Sequence, residues 1–260
     1  MNKTAEKAPI VLAAFGTTSK AIATYSFIDD IVKKKFSGHE VLWSYSSRMV
    51  KDWIKKKSNI ELKHPHQVLS ELKSRGFAWA AVQSLHLIPG HEFYRLLNEV
   101  KECGIRTSIG LPLLYSPIDY NNVLAVLDYL IPSGKEDAVV FIGHGTDHSA
   151  WTTYAALLNM LRESGKSNAY AGVVEHGHIS MEEVVGAVSR AGYKNVLLVP
   201  LMLVAGVHFM EDMAGEEDSW KTAFEEKNIS VSLDQNGLGM NSSIVEIFCQ
   251  HIHDALDVIP

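Results

Sequence analysis

Short apolar runs alternate along the chain with longer stretches in which apolar residues recur every three or four positions. Runs at 10–15, 40–45, 79–87 and 108–113 predict strands, and helical spacing over about 20–36, 92–103 and 119–130 predicts helices between them. HPHQVLSELKSRGF predicts a further helix that stops at Gly76, a residue suited to the left-handed turn closing a helix. The stretch 46–57, with Arg48, Lys51 and three successive lysines, predicts a solvated helical face.

From Ala138 the same order begins again. VLAAFGTT aligns with VFIGHGTD, which sets Gly16 opposite Gly145 at a spacing of 129. SRGFAWAAVQSLHLIPGHEF aligns with SRAGYKNVLLVPLMLVAGVHF, setting Gly90 opposite Gly206 at a spacing of 116. The run ending at Tyr45 aligns with the one ending at Glu175, a spacing of 130. Strand–helix alternation carried out twice predicts an α/β protein of two Rossmann-like lobes. Each would hold a four-stranded parallel sheet flanked by helices, and the two would be related by internal duplication. The lobes are expected at 1–134 and 135–260, with the link near Pro132, and two such lobes facing each other would enclose a cleft.

Candidate chemistry gathers in the second half. VVFIGHGTDH predicts a buried strand, a glycine turn and then a helix from Thr152. Ligands of parallel α/β sheets bind at the carboxyl ends of strands, so His144 is placed at such an end. Its flanking glycines permit a sharp turn and a close approach. AYAGVVE ends at Glu175, and NVLLVPLMLVAGVH carries His208 just beyond its glycine. If the three strands share a sheet, His144, Glu175 and His208 surround one point. Two imidazoles and a carboxylate, with positions left open, suit a labile divalent metal. The first half carries Phe15, Tyr45 and Glu92 at the aligned positions, a largely aromatic surface.

Other residues are weaker candidates. His86 ends the third strand and is a candidate contact to a bound ring. His64 with His66, and His176 with His178, are expected at the surface, whereas His251 and His253 face apart on a helix. Asp212, Glu216, Glu217 and Asp218 form an acidic run near His208, and GHGT lacks the lysine and glycine spacing of a phosphate loop.

Composition narrows the classes. A hydrophobic content of 47% with 21% charged residues is ordinary for a globular protein. The formal charge of −6 argues against nucleic acid as a partner, and no apolar run is long enough to span a membrane. Cys103 and Cys249 suggest reduced thiols rather than a disulfide framework. The expected location is cytoplasmic, or periplasmic had a signal peptide been removed beforehand.

The motifs FGTT, QSLHLIPGHE, IGHGTDH, VVE, PLMLVAGVH and EDSWK, in that order, resemble the anaerobic sirohydrochlorin cobaltochelatases, the CbiK-type class II chelatases. The resemblance runs from about residue 11 to 253. It implies a two-lobed chelatase fold around a tetrapyrrole cleft. It also implies ATP-independent insertion of Co²⁺ into sirohydrochlorin with release of two protons, a step of anaerobic cobalamin biosynthesis. It implies His144, Glu175 and His208 as metal ligands, His144 also as proton acceptor, and no organic cofactor. His86 would be a tetrapyrrole or haem contact, and Arg48, Lys51 and Arg95 partners for the ring carboxylates. The chain has GHGTDH where some relatives have GHGASH, and VVEHGH where others have VESYP-like segments. Relatives handle Co²⁺, Fe²⁺ or Ni²⁺, so an iron or nickel chelatase stays open, as does a non-catalytic tetrapyrrole or metal carrier. A homo-oligomer is left open too. A metal-dependent hydrolase would want a further carboxylate or a second metal that the spacing does not supply.

Overall fold

The computed structural model describes residues 7–16, 21–46, 62–175, 177 and 179–260. In the first half, β1 (Ile10–Ala14), β2 (Val41–Tyr45), β3 (Trp79–Ser84) and β4 (Arg106–Gly110) alternate with α1 (Ala21–Lys35), α2 (Pro65–Ser74) and α3 (His91–Lys101). After α4 (Pro117–Leu127) come β5 (Asp137–Gly143), α5 (Thr152–Glu163), β6 (Ala169–Val173), α6 (Met181–Arg190) and β7 (Asn195–Pro200). The chain ends with α7 (Trp220–Glu225), β8 (Ser230–Leu233) and α8 (Ser242–Asp257).

The sheets are wholly parallel, in the orders β2-β1-β3-β4 and β6-β5-β7-β8. Central strands of such sheets are covered on both faces, which is why β1 and most of β5 are continuous apolar runs, buried throughout. Ser116, Ser180 and Ser219 each accept a hydrogen bond from the backbone N–H three residues on, starting α4, α6 and α7. Helix α2 stops as expected before Gly76, which takes φ +92°.

The repeat is legible in the register. Ile10 pairs with Val41 and Ala81, and Val139 pairs with Ala169 and Leu197. The spacings of 129 and 116 therefore hold, but β2 maps onto β6 at 128 rather than 130. Tyr45 corresponds to Val173, not to Glu175, because the extended segment of the second half continues through Val174 and Glu175, two residues past the end of its strand. The true counterpart of Glu175 is position 47, outside the described residues.

The chain folds as two compact units, Met1–Tyr115 with Ser242–Pro260, and Ser116–Asn241. This differs from a division at 134/135. Helix α4 packs beside α5, where Tyr120 bonds to Thr153, so it belongs with the second sheet. Helix α8 lies on β3, β4 and α1 and buries Ile244, Val245, Phe248 and Ile252 there. The His251 ring bonds to the Leu111 carbonyl at 2.9 Å, tying α8 to the first unit. The second unit's core joins Val140, Ile142, Val184 and Leu198 to Phe209, Met213, Trp220 and Phe224. No helix among the described residues is long and apolar enough to cross a membrane.

Candidate metal centre

His144 follows the last residue of β5, at the carboxyl end of the sheet. The turn is completed by Gly145 at φ +91°, a conformation costly for any residue with a Cβ, and Gly16 repeats it at φ +96°. The glycine before His144 serves close approach: a Cβ on Gly143 would stand 2.2 Å from Cε1 of Tyr154. That tyrosine is buried, and its hydroxyl accepts the Gly145 N–H at 3.3 Å. Burial pushes the Tyr154 phenol upward, so it stays a neutral acceptor. Tyr25 accepts from Gly16 in the same way, 129 positions earlier. Sequence reasoning passed over this pair, although its spacing equals that of the glycines.

Glu175 lies two residues past β6, yet pairing continues beyond the strand ends. Val174 N–H donates to Gly143 O at 3.0 Å, and Glu175 N–H to His144 O at 2.9 Å. The first two candidate ligands are thus coupled through the backbone.

His208 is reached from β7 by a loop pinned where Leu238 and Gly239 donate to the carbonyls of Met202 and Leu203. It precedes a π-helical turn, Phe209–Met213, in which Ala214 N–H bonds to Phe209 O at 3.0 Å. Such turns are rare and concentrate at functional sites. Phe209 and Met213 are sunk in the core, while His208 and Asp212, one residue earlier in each case, stay accessible. His208 Nδ1 and Asp212 Oδ2 are 2.7 Å apart.

The Nε2 atoms of His144 and His208 are 3.1 Å apart, with the rings nearly perpendicular. Each Nε2 lies 3.8 Å from a Glu175 carboxylate oxygen. Atoms bound to one ion at about 2.1 Å stand about 3.0 Å apart at right angles and about 3.4 Å apart at the tetrahedral angle. A small closing movement of Glu175 meets that requirement. Tautomers point the same way. Both Nδ1 atoms face oxygen acceptors, Gly145 O at 3.3 Å and Asp212 Oδ2, which favours the tautomer protonated there. With the protons on Nδ1, both Nε2 atoms, 3.1 Å apart, are left to a shared cation. Among the described residues this is the one group of three His, Cys, Asp or Glu side chains able to hold a metal. All three remain partly exposed.

The remaining candidates scatter. His86 lies in the first unit, bonded through Nδ1 to Ser84 Oγ at 2.8 Å, with its Nε2 sealed from solvent and unpartnered among the described residues. Burial, then the charge of Arg95, push this imidazole down to about 4. Arg95 itself is engaged by Glu92, which also accepts from Ser46. Arg48, Lys51, His176 and His178 lie outside the described residues. Phe15 is half exposed at the end of β1, while Tyr45 packs with Tyr25 and Trp43. His66 pairs with Glu99, and His253 with Asp257. In EDSWK, Ser219 caps α7 and Trp220 is fully buried, so that motif is structural.

A family model described as cobalt chelatase (CbiK) matches residues 7–257. The chain is 34% identical over 220 residues to a sirohydrochlorin cobaltochelatase of Salmonella typhimurium, covering 83% of each chain. It is 31% identical over 265 positions to the sirohydrochlorin cobaltochelatase CbiKC of Nitratidesulfovibrio vulgaris, covering 97% of this chain and 92% of that one. Among solved structures, the sirohydrochlorin chelatase SirB of Bacillus subtilis subspecies spizizenii, in complex with cobalt, superposes with a TM-score of 0.63 at 15% identity, over 96% of both chains. SirB from Bacillus subtilis with Fe³⁺ gives 0.65 at 16% identity, again over 96% of both. At such identities the likeness shows a shared fold.

Proposed function

The chain belongs to the cobalt chelatase (CbiK) family, and on that footing we propose that it inserts Co²⁺ into sirohydrochlorin with release of two protons. The reading calls for neither ATP nor an organic cofactor, and makes the reaction a step of anaerobic cobalamin biosynthesis. The observation that carries it is the convergence of His144, Glu175 and His208 beyond the ends of three adjacent strands.

Insertion requires a metal ion held by few enough ligands that pyrrole nitrogens can replace them. Two neutral imidazoles and one carboxylate hold a divalent ion and leave coordination positions open. Their exposure lets water and then ring nitrogens exchange. Each pyrrole N–H must also give up its proton, and a neutral imidazole is a suitable acceptor. His144 is assigned that second task. It cannot bind metal and proton on Nε2 together, so holding and accepting come in sequence. Arg95, and outside the described residues Arg48 and Lys51, are proposed partners for the ring carboxylates. The thiols fit a reducing cytoplasm: Cys103 and Cys249 are free, and burial pushes Cys249 up to about 11, leaving it inert.

The test is anaerobic absorbance of sirohydrochlorin with catalytic amounts of protein and Co²⁺, Fe²⁺ or Ni²⁺. Many turnovers, fastest with Co²⁺, are expected. Stoichiometric binding of ring or metal without turnover would replace the chelatase by a carrier, and faster turnover with another ion would reassign the metal.

A further inference from the structure

We propose that Asp212 is a positioning residue for the metal: its carboxylate accepts a hydrogen bond from Nδ1 of His208 and so commits Nε2 to the point shared with His144 and Glu175. This deepens the metal reading above and rests on it.

A neutral imidazole carries one N–H, and an ionised carboxylate can only accept. At 2.7 Å from Asp212, Nδ1 must be the donor, which leaves the lone pair on Nε2. The contact is built by the backbone. His208 directly precedes the π-helical turn and Asp212 lies four residues on, within it, and the next residue after each, Phe209 and Met213, is buried in the core. The turn is therefore anchored on one side and presents a histidine–carboxylate pair on the other. A carboxylate behind a ligating imidazole fixes the ring's rotation and raises its basicity toward a metal.

Among the described residues the second candidate imidazole has nothing comparable. His144 Nδ1 faces the carbonyl of the next residue, at 3.3 Å. The pair is thus unequal. His208, backed by a full negative charge, is the ligand that keeps hold of the ion. His144, backed by a weak neutral contact, is the one that lets go and becomes available to a pyrrole proton. The acidic neighbours Glu211, Glu216 and Glu217 make no such contact with either ring among the described hydrogen bonds, so the assignment falls on Asp212 by geometry and not by charge density.

The experiment is anaerobic Co²⁺ titration of the tetrapyrrole-free protein, followed by the visible d–d absorption of the ion. The proteins compared are the wild type, Asp212→Ala, Asp212→Asn, Glu211→Gln and Glu175→Ala, each with its thermal melting curve. Asp212→Ala should weaken Co²⁺ binding by about 10–100-fold. Asp212→Asn, whose amide oxygen can still accept from Nδ1, should lose clearly less. Glu211→Gln, which removes the same charge one residue away, should bind as the wild type does. In the insertion assay Asp212→Ala should raise the KM for Co²⁺ much more than it lowers kcat. Unchanged binding in Asp212→Ala, while Glu175→Ala abolishes the spectrum, overturns this assignment alone. Equal losses in Asp212→Ala and Glu211→Gln overturn it as well, since general electrostatics would then suffice. A Co²⁺ spectrum indifferent to Glu175→Ala overturns the metal centre itself.

Discussion

Three side chains of different kinds meet at the end of the second sheet, and their differences assign them different work. Glu175 is a carboxylate able to bind a cation, and ordinary carboxylates are poor bases at neutral pH. Glu175→Ala should therefore mainly weaken Co²⁺ affinity, and excess metal should recover much of the insertion rate. His144→Ala removes a ligand and the proton acceptor together. Saturating Co²⁺ should not restore it at neutral pH, whereas higher pH should recover part of the rate, since hydroxide or a water chain can take the pyrrole protons. Initial rates against Co²⁺ at several pH values check both variants. Full rescue of His144→Ala by metal alone would reduce His144 to a ligand. Tyr154 acts one step behind it, holding the Gly145 N–H. Tyr154→Phe keeps the ring that packs on Gly143 and loses only the acceptor. It should cost about 0.5–1.5 kcal/mol in urea unfolding and slow insertion several-fold. An unchanged rate would show that the turn holds its shape without the hydroxyl.

At the scale of elements, much was legible because parallel strands covered on both faces are continuous apolar runs and the helices between them are periodic. The positions of His144 and His208 followed from that, as did the matching turns at Gly16 and Gly145. The ends of runs were a poorer guide than the strands themselves. Val174 and Glu175 carry the extended segment two residues past the end of β6, and this slipped the alignment with β2 by two residues. Asp212 was visible only as part of an acidic run, because its bond to His208 depends on a π-helical turn that periodicity does not announce. His86 was a candidate contact to a bound ring, and in the structure its Nε2 is enclosed. The folded protein keeps this ring neutral down to about pH 4, while an unfolded chain takes up the proton near about pH 6.5. Its contribution to stability is thus complete above about 6.5 and declines as the pH falls toward about 4. Urea unfolding across that range should give a steeper loss for the wild type than for His86→Gln. Parallel profiles would mean that the imidazole titrates as an ordinary exposed one does.

For the whole molecule, the duplication accounts for the two sheets of matching strand order and leaves α8 as the exception. Its apolar spacing was plain in the sequence, but an amphipathic helix does not declare which sheet it covers. Following β8 directly, it was expected with the second lobe. In the structure it lies on β3 and β4, with Phe248 and Ile252 fully buried and His251 bonded to Leu111. Phe248→Ala is the discriminating change. Removing a buried phenyl ring costs about 3–5 kcal/mol, and that loss should fall on the unit whose core the ring fills. Hydrogen exchange should show protection falling first at the amides of Ala80–Val82 and of Ser108 and Ile109. The amides of Val139–Ile142 and Leu197–Val199 should keep theirs. The variant should also bind Co²⁺ as the wild type does, because His144, Glu175 and His208 all belong to Ser116–Asn241. Exchange that rises first in β5 and β7, with Co²⁺ binding lost, would return α8 to the second lobe.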